Sequence, residues 1–306
     1  MINRVLIRIK VLQIVYAYYL KENDMKSAEN ELLQSLRKSY DLYHYLLMLI
    51  VEVTRYHERQ IDSRRNKYMP TEEDLNPDMR LVNNRLAHVI SINEHLKAYD
   101  KQYHVSPFED TEIIKTVLET ILKSDIYEEY LNAPEDNFET DREFWRKVFK
   151  KLITNNEVID ELLEEKCIYW NEEIEIVESF VIKTIKHLKD SPDALNLLIP
   201  MFNNESDREY VFKLFKQTIL NGDDYRKRVN SHACNWEAER VAPMDMIIMQ
   251  LAITEIIHFP TIPISVSLNE YIDAAKYYST PKSGVFINGV LESIIAELRK
   301  ENILLK

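Results

Sequence analysis

The chain has 306 residues, 45% of them hydrophobic, with 51 acids against 39 bases and a formal net charge of −12. Its three glycines, Gly222, Gly284 and Gly289, stand against the roughly 21 that ordinary usage would supply, which argues against hairpin-rich sheets and glycine-rich phosphate cradles. No apolar run approaches the ~18 uninterrupted residues of a membrane span, so no membrane partner is expected.

The pattern predicts helices from end to end, and the fold class is all-α. Residues 2–20 form the first: Ile2, Val5, Leu6, Ile9, Leu12 and Tyr16 recur at helical spacing, and Arg4 and Arg8 share a face as an i, i+4 pair. Lys10 lies about 160° round from Arg8. A long helix is expected over 27–65. The polar stretch 71–78, with Pro77 inside it and Pro70 just before it, reads as a connection. Helices are then expected over 79–99, 107–123, 139–153, 157–169 and 172–189. Ser106-Pro107-Phe108-Glu109 reads as a capping box with proline at the first helical position. A further helix opens at Ser206-Asp207 and runs to Leu220 before Gly222. Three more occupy the last quarter. Pro243 sits in a first turn, and Phe259-Pro-Thr-Ile-Pro263 separates two of them.

Charge is unevenly placed. Residues 109–178 hold 21 acids and eight bases, whereas no acid precedes Glu22 and Arg4, Arg8, Lys10 and Lys21 are basic. A basic N-terminal helix thus stands beside an acidic middle. Cys167 and Cys234 lack metal-type spacing and read as reduced thiols of a cytoplasmic protein. His-Glu-x-x-His, Cys-x-x-Cys and Gly-x-Ser-x-Gly are all missing. Neither catalysis nor a cofactor or metal is expected. Trp236 and Tyr271 have the stacking surface that a base would need, but at helical positions beside Arg240 and Leu268 they read as core.

Several elements of the C-terminal quarter fall in a specific order: Asn235-Trp236, the helix from Asp245 to Glu255, Ile262-Pro263, Asn269-Glu270, Ala275-Lys276 and Phe286-x-Asn288-Gly289-Val290-Leu291. With Arg4-x-x-x-Arg8 and Leu12-Gln13-x-x-Tyr16 near the start, the chain resembles NusB-type transcription antitermination factors. The resemblance implies a NusB-like helical bundle that binds single-stranded boxA-like RNA together with the ribosomal protein that doubles as NusE. Through that complex it would reach RNA polymerase and the other Nus factors. Usual members are much shorter, so a large helical module is expected as an insertion: residues 1–60 and 201–306 would form the RNA-binding domain, and 61–200 the insert.

By the same resemblance the RNA site draws on Arg4, Arg8, Gln13, Tyr16, Lys282, Ser283 and Phe286, and the NusE contact on Asp245 and Lys282. Arginine suits phosphate because its charged fork is permanent, and an aromatic ring suits an unstacked base. Val5, Leu6 and Ile7 stand where relatives commonly carry further bases, which predicts a modest RNA affinity. Lys282 stands where relatives often have an acid. The alternative is a helical interaction scaffold that has lost the RNA face.

Overall fold

The computed structural model describes residues 1–21, 24–171, 173–190, 198–233 and 241–304. Among these no strand occurs; an isolated parallel bridge joins Ile2 to Phe202. The chain divides into two compact units, one of Met1 with Arg37–Met201 and one of Ile2–Leu36 with Phe202–Lys306. The division falls between Leu36 and Arg37, inside the second helix, and the boundary expected at residue 60 lies further along the same helix.

The first unit contains the distal part of α2 (Met25–Arg65), then α3 (Glu72–Leu75), α4 (Arg85–Ser91), α5 (Glu94–Tyr103), α6 (Thr111–Leu122), α7 (Asp125–Leu131), α8 (Phe138–Val148), α9 (Glu157–Lys166) and α10 (Ile174–His187). The expected 79–99 helix is two helices. Asn84 and Asn93 each turn a side-chain oxygen onto the backbone N–H three residues on, at 3.0 Å, and so start a new helix each time. Ser106 accepts from Phe108 N–H at 3.3 Å and opens a short 3₁₀ turn, Pro107–Glu109, rather than α6 itself. The stretch 71–78 holds α3, opened by a capping box between Thr71 and Asp74. α7 has no counterpart in the expected elements. α8 packs on α4, α7 and α10, and continues directly into a π-helical segment, Phe149–Ile153. Polar contacts fix α2 within this unit: Tyr43 shares a hydrogen bond with Thr184 at 2.7 Å, and Lys38 accepts one from the Trp170 indole at 2.8 Å.

The second unit is built around α13 (Pro243–His258). Every residue from Asp245 to Ile256 on it is buried, as befits a helix apolar on all sides. Packed on it are α1 (Arg4–Lys21), α11 (Glu205–Leu220), α12 (Gly222–Ala233), α14 (Ile264–Tyr278) and α15 (Ser283–Lys300). α1 buries Leu6, Ile7, Val11, Leu12, Ile14 and Val15 against α11 and α13. Proline at the first helical position starts α13, and its end falls at Phe259, before Pro260, where the sequence placed it.

α11 and α12 meet at Gly222, and the reason for glycine there is space. A Cβ on Gly222 would collide with the Tyr19 hydroxyl of α1, while Gln250 of α13 donates to the Gly222 carbonyl at 2.7 Å. Three helices thus converge on one backbone position. Gly222→Ala is expected to cost about 1–3 kcal/mol of stability through overpacking, measured by urea unfolding. In a Tyr19→Phe background the nearest atoms are Gln250 Nε2 at 3.5 Å and the ring carbon at 3.6 Å, ordinary contact distances, so most of that loss should disappear. Equal losses in both backgrounds would show that Tyr19 is not what excludes a side chain.

Candidate functional site

Glu255 lies four-fifths of the way along α13 and has no exposed surface. Arg8 of α1 reaches it with a two-pronged fork, Nε to Oε2 and Nη2 to Oε1, both at 2.9 Å. The third Arg8 nitrogen, Nη1, donates to Glu270 of α14 at 3.1 Å. Ser267 of α14 donates to Glu255 at 2.7 Å, Tyr271 of α14 at 3.2 Å, and the Tyr210 hydroxyl of α11 donates as well. One carboxylate therefore gathers donors from α1, α11 and α14. Burial by itself would push Glu255 up, but the Arg8 hydrogen bonds and charge, with the hydroxyls of Tyr210 and Ser267, hold it below the usual carboxylate value. Burial would likewise push Arg8 down, and its bonds to Glu255 reverse that. The pair is ionised and fully partnered, the condition under which a buried ion pair is tolerated.

This placement corrects the expectation for Arg8. Helical spacing put it beside Arg4 on a phosphate-facing surface, yet the side chain is only 6% exposed and its fork is filled from inside the fold. Arg4, one turn earlier, is 40% exposed. Its Nε lies 3.6 Å from Asp207 and its guanidinium 5.2 Å above the Tyr210 ring. Lys10 is buried rather than displayed. Gln13 and Tyr16 are half-buried on α1, and Val5 is exposed.

The second group of expected site residues surrounds the connection between α14 and α15. Asp245, in the first turn of α13, is buried and turned inward. It accepts from Ser279 at 2.5 Å and from Ser283 at 3.0 Å, and Ser283 and Thr280 hydroxyls lie 2.9 Å apart. Asp245 thus shapes this loop from beneath instead of meeting a partner directly, and Ser283 is committed to the same network. Both expectations are corrected by one hydrogen bond. Lys282 is left exposed at the loop, Val285 is 71% exposed, and Phe286 is half-buried.

Tyr271 is core, as its helical position indicated; burial and the Glu255 charge push its hydroxyl well above the usual value. Trp236, Arg240 and Cys234 lie outside the described residues. The sequence pattern assigns no role to Glu255, Tyr210, Ser267 or Glu270. The available signal was Glu255 itself, the one acid within Met246–Ile256 of an otherwise apolar helix. Among the described residues no three His, Cys, Asp or Glu side chains cluster to hold a metal ion, and no helix is long and apolar enough to cross a membrane.

Arg8→Ala should cost about 3–5 kcal/mol, because it strands a buried carboxylate; Arg8→Lys should recover little, since an ammonium cannot occupy two carboxylate oxygens at once. Arg4→Ala should cost under about 1 kcal/mol. The Glu255 carboxyl is depressed in the folded state, so its contribution is present above pH 4.5 and lost as pH falls below that through its folded value. Urea unfolding of the three variants between pH 3 and 7 checks both statements. Equal losses for Arg4→Ala and Arg8→Ala would contradict the inward assignment of Arg8.

Comparison with known proteins gives a family match, described as the NusB family, over residues 174–296. A transcription antitermination protein NusB of Salinibacter ruber is 36% identical over 114 residues, 37% of this chain and 71% of that protein. One from Desulfatibacillum aliphaticivorans is 36% identical over 110 residues, 36% of this chain and 77% of its own length. For one from Chloroherpeton thalassium the figures are 37% over 99 residues, 32% of this chain and 47% of the relative, about half its length. No solved structure matches the chain. With more than two thirds of two such relatives covered at this identity, the chain belongs to the NusB family.

Proposed function

We propose that this protein is a transcription antitermination factor that binds single-stranded boxA-like RNA together with the NusE ribosomal protein. The complex would join RNA polymerase and the other Nus factors in the cytoplasm, with no chemical step. The observation that carries this reading is the family match over residues 174–296, which takes in α10 to α14 and most of α15, together with the likeness to relatives named transcription antitermination protein. RNA binding of this kind needs cations for phosphate and flat side chains for bases, and the unit presents both. Of the expected site residues, the cations with accessible surface are Lys282, which is exposed, and Arg4, which is partly so. Gln13, Tyr16 and Phe286 are half-buried and are the candidates for contact with a base. Arg8 is a positioning residue that sets α1 against α13 and α14. Ser283 and Asp245 hold the loop that displays Lys282, and the NusE-type protein would engage that loop.

With Arg8 committed inward, two phosphate contacts remain, from Arg4 and Lys282. The single-strand rule then gives a log K against log salt slope of about −1.4. Arg4→Ala should reduce it by about 0.7, whereas Phe286→Ala should cost about 1–3 kcal/mol in affinity with little change of slope if the ring stacks on a base. Fluorescence anisotropy of a labelled boxA-like RNA, with and without the NusE-type protein, measures each quantity. The mixture should bind more tightly than either protein alone, since two weak basic surfaces become one longer site. Unchanged affinity in a folded Arg4→Ala/Lys282→Ala variant would remove both residues from the site. The inward Arg8 also favours a second reading, a helical scaffold without an RNA face. Failure of the RNA to bind either alone or in the mixture would establish it.

A further inference from the structure

We propose that the junction of α8, α9 and α10 in the first unit is a proton-dependent latch, closed while Glu178 carries a proton and loosened when that proton is lost. Glu178 lies on α10 with no exposed surface, and neither carboxyl oxygen has a hydrogen-bond partner among the described residues. Two further buried oxygens without partners belong to the same junction: Oδ1 of Asp160, on α9, and Oγ1 of Thr154, which ends the π-helical segment. The Thr154 hydroxyl is within reach of Glu178, yet neither makes a bond of ordinary geometry. Three carboxyl oxygens and a hydroxyl are an excess of acceptors. A proton on Glu178 supplies the missing donor, and the Thr154 hydroxyl supplies another.

The backbone at this point is suited to local opening. Thr154 N–H bonds back to Phe149 at 2.9 Å, five residues earlier, and Asn155 adopts φ 59° in the left-handed region. Only these residues and Asn156 join the π segment to α9. Among the described residues the charges acting on Glu178 are of its own sign: Asp160 from α9 and Glu175 from α10 itself. Among the described residues no titratable group of α8 or the π segment shifts Glu178, and Lys150 and Lys151 are exposed. Burial, then the Asp160 charge, push Glu178 up to about 8, while burial, Glu164 and Glu175 push Asp160 up in turn. A carboxyl raised in the closed state favours closure fully below its ordinary value near 4.5; that advantage declines with rising pH until the closed form also ionises.

Hydrogen exchange of the full chain, corrected for intrinsic rates and followed from pH 5 to 9.5, tests the latch. The opening constant of amides in 150–165 should rise about tenfold per pH unit and level off above about 8. Glu178→Gln should make it flat. Asp160→Asn should bring the levelling to lower pH, because it removes the charge that raises Glu178. A flat profile in the unaltered chain, or an unchanged slope in Glu178→Gln, overturns the proposal. If Glu178→Gln fails to fold, Asp160→Asn decides: a lowered break supports the latch, an unmoved one refutes it.

Discussion

The second unit depends on one buried carboxylate. Glu255 sits where α13 is surrounded by other helices, and an ionised group there would be untenable without donors on several sides. Arg8, Tyr210, Ser267 and Tyr271 supply them from three helices. Each donor constrains the rotation of its own helix about α13, because turning the helix away would take the donor out of reach of the carboxylate and leave buried polar groups unpaired. Apolar contacts could hold the same helices with more latitude. The carboxylate is therefore a register pin as much as a source of stability.

That pin divides the labour between two arginines one helical turn apart. Arg8 is spent on the fold, and Arg4, stacked over Tyr210 and near Asp207, is left at the surface. Tyr210 touches both, since its hydroxyl faces Glu255 and its ring faces Arg4. The surface cation is thus positioned by the same residue that completes the buried network. A parallel arrangement serves the other group: Asp245 holds Ser279 and Ser283, and the loop between them exposes Lys282. In both places a buried acid organises a displayed base.

Much of the helical framework was legible in the sequence. Three glycines in 306 residues left little room for sheet, and Pro243 and Phe259-Pro260 marked both ends of α13. Boundaries failed where short-range polar chemistry outweighed apolar spacing. Asn93 restarts the helix expected to run over 79–99, and Ser106 bonds two residues on instead of three. The roles of site residues were harder to read. Periodicity says that Arg4 and Arg8 share a face of α1, but not that α1 is embedded deeply enough to bury the second. That follows from a partner 247 residues away. The pairing was hinted at only by two charges standing in apolar runs, Arg8 in α1 and Glu255 in α13.

The same separation has a consequence in time. At synthesis rates of about 5–20 residues per second, Glu255 leaves the ribosome roughly 10–50 s after Arg8. The final loop closure is not itself prohibitive, because its entropic cost grows only logarithmically with length. During the interval, however, α1 has been made and its binding surface has not. Leu6, Ile7, Val11, Leu12, Ile14 and Val15 are then an uncovered apolar stripe with an unpaired arginine in its midst. Residues 37–201 supply nearly all of the other compact unit, so the nascent chain holds a fully synthesised middle while its beginning still waits for its partners. Any chaperone that shields that stripe must let go before α13 arrives to claim it.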